Sequence, residues 1–176
     1  MQRFSILKGD IVKAKTEAIV NAANTSLLGG GGVDGAIHRA AGKELLEECK
    51  TLGGCKTGEA KITQGYKLKA SYVIHTPGPI WRGGKWKEDV LLKNCYENSL
   101  QLAKAHGIKT IAFPSISTGV YRFPVEQAAK IAVETICEYL KTDTFFEQVL
   151  MICFDQETAE TYLAAQKAYQ EKSRDS

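Results

Sequence analysis

The residues most suited to chemistry begin with a run of four consecutive glycines, Gly29 to Gly32, which leads through Val33, Asp34 and Gly35 into a helical pattern. Glycine lets the backbone approach a phosphate closely and turn its N–H groups toward it. A helix that begins beside such a loop adds the positive end of its dipole. The run therefore predicts an anion-binding loop, in preference to a flexible surface loop.

The same run has the G-x-G-x-x-G spacing of a dinucleotide fold over residues 30–35, and this alternative has to be tested. That fingerprint needs a tight turn directly after a strand and an acidic residue about 20 positions further on. Here the preceding strand pattern ends near Asn21, and the turn-like stretch 53–56 has no acid. A Walker-type loop is also excluded, because the Gly-Lys pair at 42–43 is followed by Glu44. Neither nucleotide fold fits.

A second loop with hydroxyls and a glycine, residues 115–121, follows a buried strand pattern and ends at a helix headed by Pro124. A single loop of this kind is an ordinary strand-to-helix connection. Two such loops on the same edge of a sheet predict a diphosphate held from both sides.

The elements that must position these loops alternate between short β-rich runs and longer helical patterns. We predict strands over 4–7, 18–21, 72–75, 110–113 and 148–154, and helices over 34–50, 88–104, 124–140 and 156–169. This alternation predicts a three-layer α/β/α domain with a mixed, mostly parallel central sheet. In such a fold the ligand lies beyond the carboxyl ends of the strands. Residues 21–24, 114–119 and 154–155 follow three of those ends.

Length and composition bound the domain organisation and the cellular setting. The 176 residues fit a single domain over 1–170, and the polar end at 171–176 is expected to be an unpacked tail. Five scattered cysteines without a Cys-x-x-Cys pair argue against a disulfide framework and indicate a reducing compartment. The three histidines do not have metal-ligand spacing, so we expect neither a metal nor a cofactor. No secretory signal or membrane-spanning run is recognised, which predicts a cytoplasmic protein without a membrane partner.

Five segments together resemble the macrodomain family, most closely the MacroD-like branch of O-acetyl-ADP-ribose deacetylases and mono-ADP-ribosyl hydrolases. The resemblance runs from about Phe4 to Tyr169 with the motifs in the family's order, and it implies the macrodomain fold. The segments are Gly9-Asp10-Ile11, Val20 to Asn24, Gly29 to His38, His75 to Pro79 and Ser115 to Tyr121.

The resemblance implies that the adenine and the diphosphate of ADP-ribose bind at specific residues. Asp10 would accept a hydrogen bond from the adenine amino group beside the Ile11 backbone, and Phe154 would stack on the ring. On local grounds Asp10 fits equally a turn or N-cap aspartate, and Phe154 fits equally a core aromatic at a strand end. The residues implied to cradle the diphosphate are Gly30, Gly31, Gly32 and Val33 in the first loop and Ser115, Ser117, Thr118, Gly119, Val120 and Tyr121 in the second.

The distal ribose is the implied reaction centre. The resemblance assigns Asn24 to the ribose hydroxyls and places Asn21, Ala22 and Gly35 at the same end of the ligand, with Asn21 as a brace for the loop. Asp34 would position the attacking water, with an α-phosphate oxygen of the substrate assisting. On sequence alone Asp34 is at least as well explained as the N-cap of its helix, and the two roles can coexist. Its ionised carboxylate there is a weak base, which suits a labile acyl ester.

The three histidines and the two tryptophans are interpreted as structural. His38, four residues past Asp34, and His75 are expected to pack, and His106 to lie at the surface. Trp81 and Trp86 form either a partner or base-stacking surface or a loop packed on the domain, and we favour the loop.

Two departures from the family pattern stand out. Pro77 replaces an apolar β-branched residue and should stiffen its loop. Arg122 replaces a common glycine, and it contacts a phosphate or points to solvent, with solvent favoured.

The resulting hypothesis is a hydrolase that removes acyl esters from ADP-ribose, acting on O-acetyl-ADP-ribose or on mono-ADP-ribosylated Asp and Glu side chains of proteins. A non-catalytic ADP-ribose reader is the alternative, because its pocket would be nearly the same. RNA binding or RNase regulation is a third class, which the net charge of +3 and the lack of a basic run speak against.

Overall fold

A computed structural model of the chain describes residues 3–174, which contain one sheet, five α-helices and a short 3₁₀ turn at Ile11–Lys13. The strands are β1 (Phe4–Lys8), β2 (Ala18–Ala23), β3 (Lys61–Gln64), β4 (Tyr72–Pro77), β5 (Thr110–Phe113) and β6 (Gln148–Cys153). The helices are α1 (Gly32–Ala41), α2 (Lys43–Thr51), α3 (Glu88–Ala105), α4 (Val125–Thr142) and α5 (Gln156–Arg174).

The six strands form one sheet in the order β1-β6-β5-β2-β4-β3. Every pairing is parallel except that of β3 with β4. Parallel strands require crossover connections, and the helices supply them. The mixed, mostly parallel sheet predicted from the sequence is confirmed.

Two apolar layers, one on each face of the sheet, hold the helices in place. One face is covered by α3, α4 and α5, whose Tyr96, Ala132 and Tyr162 are fully buried in a single cluster. The other is covered by α1, α2 and the 3₁₀ turn through Ile37, Leu45 and Ile11. These layers confirm the three-layer α/β/α architecture.

Strand β3 is absent from the sequence prediction. Its four residues, Lys-Ile-Thr-Gln, are too few and too polar to stand out as a strand pattern. The segment is extended because it pairs antiparallel with β4, from Lys61 opposite His75 to Gln64 opposite Tyr72. Tertiary pairing, and not local propensity, forms this strand.

The helix predicted over 34–50 is wrong in two respects. It is two helices, because Gly42 has φ +93° and ends α1 by donating its N–H to the His38 carbonyl. It also begins earlier, with Gly31 as N-cap and Gly32 as first residue, so the N-cap interpretation of Asp34 is wrong. Pro124, expected as the first residue of its helix, is instead the N-cap of α4, which begins at Val125.

The last helix continues to Arg174, past the end expected near Tyr169. Residues 171–174, expected in an unpacked tail, are thus part of α5. Glu171, Lys172 and Arg174 are good helix formers, and the positive charges of Lys172 and Arg174 suit the last turn of a helix. The rest of that expected tail, residues 175 and 176, lies outside the described residues. Within residues 3–174, none of the helices has the length and apolarity needed to cross a bilayer.

Candidate functional site

The strand order places the predicted site residues along one edge of the sheet. Asp10 follows β1, Phe154 follows β6, residues 115–121 follow β5, and residues 24–35 follow β2. Parallel strands have their carboxyl ends at the same edge, and neighbouring strands lie about 4.8 Å apart. Four adjacent ends therefore span about 14 Å, which suits an elongated ligand lying across them.

Asp10 and Phe154 lie next to each other at one end of this edge. Lys8 pairs with Cys153, and the Gly9 N–H donates to the Cys153 carbonyl at 2.9 Å, so the two chains leave the sheet together. The Asp10 carboxylate accepts the Val12 N–H at 3.1 Å and caps the 3₁₀ turn, as the local interpretation expects.

Phe154 is 82% exposed, so its interpretation as a core aromatic is wrong. An exposed ring beside a carboxylate with one oxygen committed to the turn is compatible with an adenine site. That assignment stays a prediction for both residues. Ile11 buries its side chain against α1 and α2, so only its backbone is available to a ligand.

The glycine run forms an open backbone loop. Gly29 and Gly32 have φ values of +92° and +57°, where side chains are strained. A side-chain carbon at Gly31 or Gly32 would meet nothing within 4 Å, so the loop faces open space. The N–H groups of Gly30 to Gly32 have no protein acceptor in residues 3–174. They remain available to an anion.

Gly35 has a different role from the rest of the loop. It is buried, and a side-chain carbon there would lie 2.6 Å from the Gly30 carbonyl oxygen. Its lack of a side chain lets the loop pack on the first turn of α1. A direct ligand contact from Gly35 stays a prediction, and the geometry assigns it a packing role.

Asp34 lies in the first turn of α1 beneath this loop, and it is only 5% exposed. Its Oδ1 accepts a hydrogen bond from Asn21 Nδ2 at 2.8 Å. His38 Nε2 lies 3.4 Å from the same oxygen but makes no hydrogen bond. The second oxygen, Oδ2, lies 3.2 Å from where a side-chain carbon at Gly30 would sit, so it faces the glycine loop.

A buried polar chain runs from Asp34 into the sheet. Asn21 Nδ2 also lies 3.1 Å from His75 Nδ1, and His75 Nε2 lies 2.9 Å from Thr63 Oγ1. Burial lowers the pKa of His75 to about 4, helped by the nearby His38, although the charge of Asp34 opposes the shift. The imidazole is therefore neutral, accepting from Asn21 at Nδ1 and donating to Thr63 at Nε2.

Sequence reasoning missed the part played by His75, which it treated as packing. His75 pairs with Asn21 in the register of β2 and β4, so the two point to the same face. A signal was present, because a histidine and an asparagine inside otherwise apolar strands need buried partners.

Asn24 braces the loop, which is the role predicted for Asn21. Its Nδ2 donates to the Gly29 carbonyl at 2.7 Å, and its Oδ1 accepts from Ser26 Oγ at 2.6 Å and from the Leu27 N–H at 3.1 Å. Asn21 instead orients Asp34. The contact of Asn24 with the ribose stays a prediction, as does that of Ala22, whose half-buried methyl packs on the core.

The second loop, residues 115–121, is held from below by hydroxyl groups. Tyr162 Oη lies 2.7 Å from Ser115 Oγ, which lies 2.7 Å from Thr118 Oγ1, and Tyr96 Oη accepts the Ile116 N–H at 3.1 Å. The Ser115 hydroxyl therefore supports the loop from the core side. The N–H groups from Gly119 to Tyr121 have no acceptor within residues 3–174.

Ser117 is the strained position of this loop. It has φ +68°, it is buried, and its Oγ has no hydrogen-bond partner among the described residues. Val120, three residues on, is 92% exposed. A strained backbone and an unpartnered hydroxyl at Ser117, with an exposed apolar side chain at Val120, are together typical of a loop shaped for a ligand.

The comparisons with known proteins agree with this geometry. Residues 20–132 match the model of the Macro domain family. The chain belongs to the macrodomain family. A Macro domain-containing protein of Methanosarcina mazei is 59% identical over 161 residues, covering 92% of this chain and 86% of its own. The O-acetyl-ADP-ribose deacetylase of Salmonella newport is 53% identical over 164 residues, with 91% and 92% covered.

Solved macrodomains have the same fold. The Oceanobacillus iheyensis macrodomain with ADP has a TM-score of 0.90 at 44% identity, covering 95% of this chain and 91% of that one. The Trypanosoma brucei macrodomain in complex with ADP-ribose has a TM-score of 0.87 at 41% identity, covering 95% and 69%.

The loop after β4 packs beside the second loop of this macrodomain. A side-chain carbon at Gly78 would lie 2.2 Å from Ser117 Oγ, so only glycine fits there. The backbone N–H of Trp81 donates to the Tyr121 carbonyl at 2.8 Å, and the centroid of its ring lies 4.8 Å from that of Phe123. The packed-loop interpretation is confirmed for Trp81.

Trp86 and Arg122, near these two loops, are both exposed at the surface of this macrodomain. Trp86 is 67% exposed. Arg122 is also exposed, at φ +62°, as favoured from the sequence. Among the described residues, no cluster of His, Cys, Asp and Glu is arranged to hold a metal ion.

Proposed function

We propose that this macrodomain binds ADP-ribose and hydrolyses acyl esters at its distal ribose. The substrates would be O-acetyl-ADP-ribose, mono-ADP-ribosylated Asp or Glu side chains, or both. The observation that carries the proposal is the Asp34 carboxylate, held by Asn21 at 2.8 Å with its other oxygen facing the glycine loop. Relatives named O-acetyl-ADP-ribose deacetylase, 52–53% identical, support an esterase.

The ligand would lie along the strand ends with its adenine between Asp10 and Phe154. Its diphosphate would accept hydrogen bonds from the free N–H groups of Gly30 to Gly32 and of Gly119 to Tyr121. The positive end of the α1 dipole adds to this attraction. The distal ribose would then lie over Asp34 and Asn24.

Hydrolysis would begin with a water molecule held by Asp34 Oδ2. The water oxygen attacks the ester carbonyl carbon, and its proton passes to an α-phosphate oxygen of the substrate. Collapse of the tetrahedral intermediate breaks the bond between the acyl carbon and the ribose oxygen, which takes the proton back. The products are a carboxylic acid and ADP-ribose. A buried carboxylate that orients water gives less catalytic assistance than a strong general base. An acyl ester is labile enough to be hydrolysed with that assistance.

The test follows release of free ADP-ribose from O-acetyl-ADP-ribose and from a protein modified on glutamate. We expect Asp34→Asn, which keeps the size but removes the charge, to lower kcat at least about 100-fold. ADP-ribose affinity, measured by calorimetry, should change much less. Asn24→Ala should raise KM and loosen the loop. Turnover retained by Asp34→Asn would overturn the role of Asp34.

A reader of ADP-ribose remains the second candidate, and one observation favours it. The Asn24 side chain donates from Nδ2 to the Gly29 carbonyl and accepts twice at Oδ1, so its main hydrogen bonds hold the loop and Asp34 is the acidic group positioned at the proposed ribose end. Binding without release from either substrate would establish the reader. The five free thiols support our expectation that either function operates in the reducing cytoplasm.

A further inference from the structure

A separate cavity of about 440 Å³ opens on the outer side of the glycine loop. Gly29 and Gly30 form one wall, and His38 and Arg39 of α1 form another. The rest is contributed by the α1–α2 junction and by α2. The apolar part of the lining is Leu28, which is 50% exposed, and Leu46.

The cavity is next to the proposed reaction centre and is separate from the strand ends. Gly30 lies between them, since a side-chain carbon there would be 3.2 Å from Asp34 Oδ2 and 3.3 Å from Asn24 Nδ2. His38 lines the cavity while its Nε2 lies 3.4 Å from Asp34 Oδ1. A group attached to the distal ribose would leave the site close to this opening.

The charges at the cavity are cationic and unpaired. Arg39 and Lys43 line it, and Lys67 lies at its rim, with Nζ 3.8 Å from where a side-chain carbon at Gly42 would sit. No carboxylate of residues 3–174 lies within 4 Å of these three cations. Glu44 and Glu47 of α2 do not line the cavity.

We propose that this cavity binds the acidic protein segment that carries the ADP-ribosyl ester. The inference rests on the proposed function and names its substrate class, a protein modified in an acidic stretch. Carboxylates flanking the modified residue would meet Arg39 and Lys43, and an apolar side chain would contact Leu28 and Leu46. The lining contains no Phe, Tyr or Trp on which a base could stack, so a protein segment is favoured over nucleic acid.

The experiment compares three substrates: O-acetyl-ADP-ribose, a peptide ADP-ribosylated on a glutamate flanked by acidic residues, and the same peptide with glutamines in the flanks. O-acetyl-ADP-ribose has no flanking protein segment, so the first substrate reports on the reaction centre alone. For the wild type we expect KM at least about threefold lower for the acidic peptide than for the neutral one, a gap that shrinks with added salt.

The double variant Arg39→Gln/Lys43→Gln should abolish this preference and leave O-acetyl-ADP-ribose turnover unchanged. The matched control is Lys93→Gln/Lys130→Gln, which removes the same charge from exposed positions on the opposite face. The control should keep the preference. Together the two variants separate a local subsite from net charge.

Equal KM values for the two peptides, with turnover intact, would overturn the subsite and leave the proposed function standing. If no substrate is hydrolysed, the esterase proposal fails. The subsite is then tested by binding, and a dissociation constant at least about threefold lower for the acidic modified peptide than for the neutral one supports it. Stronger competition by single-stranded RNA than by an unmodified acidic peptide would also overturn it.

Discussion

At the scale of single residues, the site is defined by how one carboxylate is held. Asp34 is buried, yet one oxygen has a donor at 2.8 Å and the other faces the loop. The donor, Asn21, is itself fixed, because both its amide hydrogens point at acceptors, Asp34 and His75. A carboxylate positioned in this way loses little entropy when it orients a water.

The buried His75 makes the folding stability of the protein depend on pH. Its pKa is lowered to about 4 by burial, whereas the unfolded chain titrates near 6.5. The unfolded state then binds more protons between these values, so stability falls as the pH drops from about 6.5 to about 4. The full loss is on the order of 3 kcal/mol. Urea unfolding of His75→Gln should show a lower stability at pH 7.5 and a shallower decline below pH 6.5. An unchanged slope would contradict the neutral, buried state of His75.

The sequence predicted which residue types lie at the site but not all of their roles. Asn21 and Asn24 are both polar residues near the end of one strand, and nothing in their spacing separates them. Asn21 lies inside β2, where the pleat points its side chain at His75 and Asp34. Asn24 lies just past the strand, where it caps a turn. This difference of three positions explains why Asn24, and not Asn21, braces the loop, and why Asn21 orients Asp34.

At the scale of elements, two helices on the far side of the sheet support the second loop. Tyr96 of α3 and Tyr162 of α5 are fully buried and place their hydroxyls under residues 115–118. Burial raises the pKa of Tyr162 to about 12, so it stays a neutral hydroxyl. The orientation of the free N–H groups from Gly119 to Tyr121 depends on this support.

Removing either hydroxyl should weaken ligand binding without changing the catalytic step. We expect Tyr96→Phe and Tyr162→Phe each to raise the dissociation constant for ADP-ribose about 2- to 10-fold, the value of one or two hydrogen bonds. The kcat for O-acetyl-ADP-ribose should stay within about twofold if loop position alone is affected. Tyr66→Phe is the control, because its hydroxyl bonds Glu48 at the exposed surface. Unchanged affinity in both buried variants would show that the loop keeps its shape unaided.

The boundaries of strands and helices could be predicted where the local sequence signals agreed. The prediction failed where strand pairing or a single glycine determined the boundary. The apolar strands β4 and β5 carry clear patterns, as does α4. Gly42 falls within one continuous helical pattern, and its break becomes visible only in the φ of +93°. Strand β3 requires its partner to exist at all.

At the scale of the whole molecule, the loop after β4 links the site to the helix layer through one acid. Glu88, at the start of α3, accepts the N–H groups of Arg82, Gly84 and Trp86 at 2.6–2.9 Å. Burial alone would raise its pKa, but these hydrogen bonds outweigh it and lower the pKa to about 2. The ionised form therefore holds in place the loop whose Trp81 packs on Phe123.

Acid should release this tie. Because the folded pKa lies below the unfolded one, the contribution of Glu88 is present above about pH 4.5 and is lost as the pH falls through about 2. Glu88→Gln should lower the unfolding temperature strongly at pH 7 and much less near pH 2.5. Glu126→Gln, at an exposed first-turn position of α4, serves as the control and should change little at either pH. A similar loss in both variants would argue against a specific role for Glu88.

The short strand β3 also has a consequence for how the molecule behaves at high concentration. It is an outer strand of the sheet, and an open strand edge is a template for pairing with another chain. Here that edge is four residues long, and it carries Lys61 and Gln64. The Gln64 N–H is already taken by the Glu48 carboxylate at 3.1 Å. The polar character that hid β3 from sequence prediction thus protects the sheet against growth into aggregates.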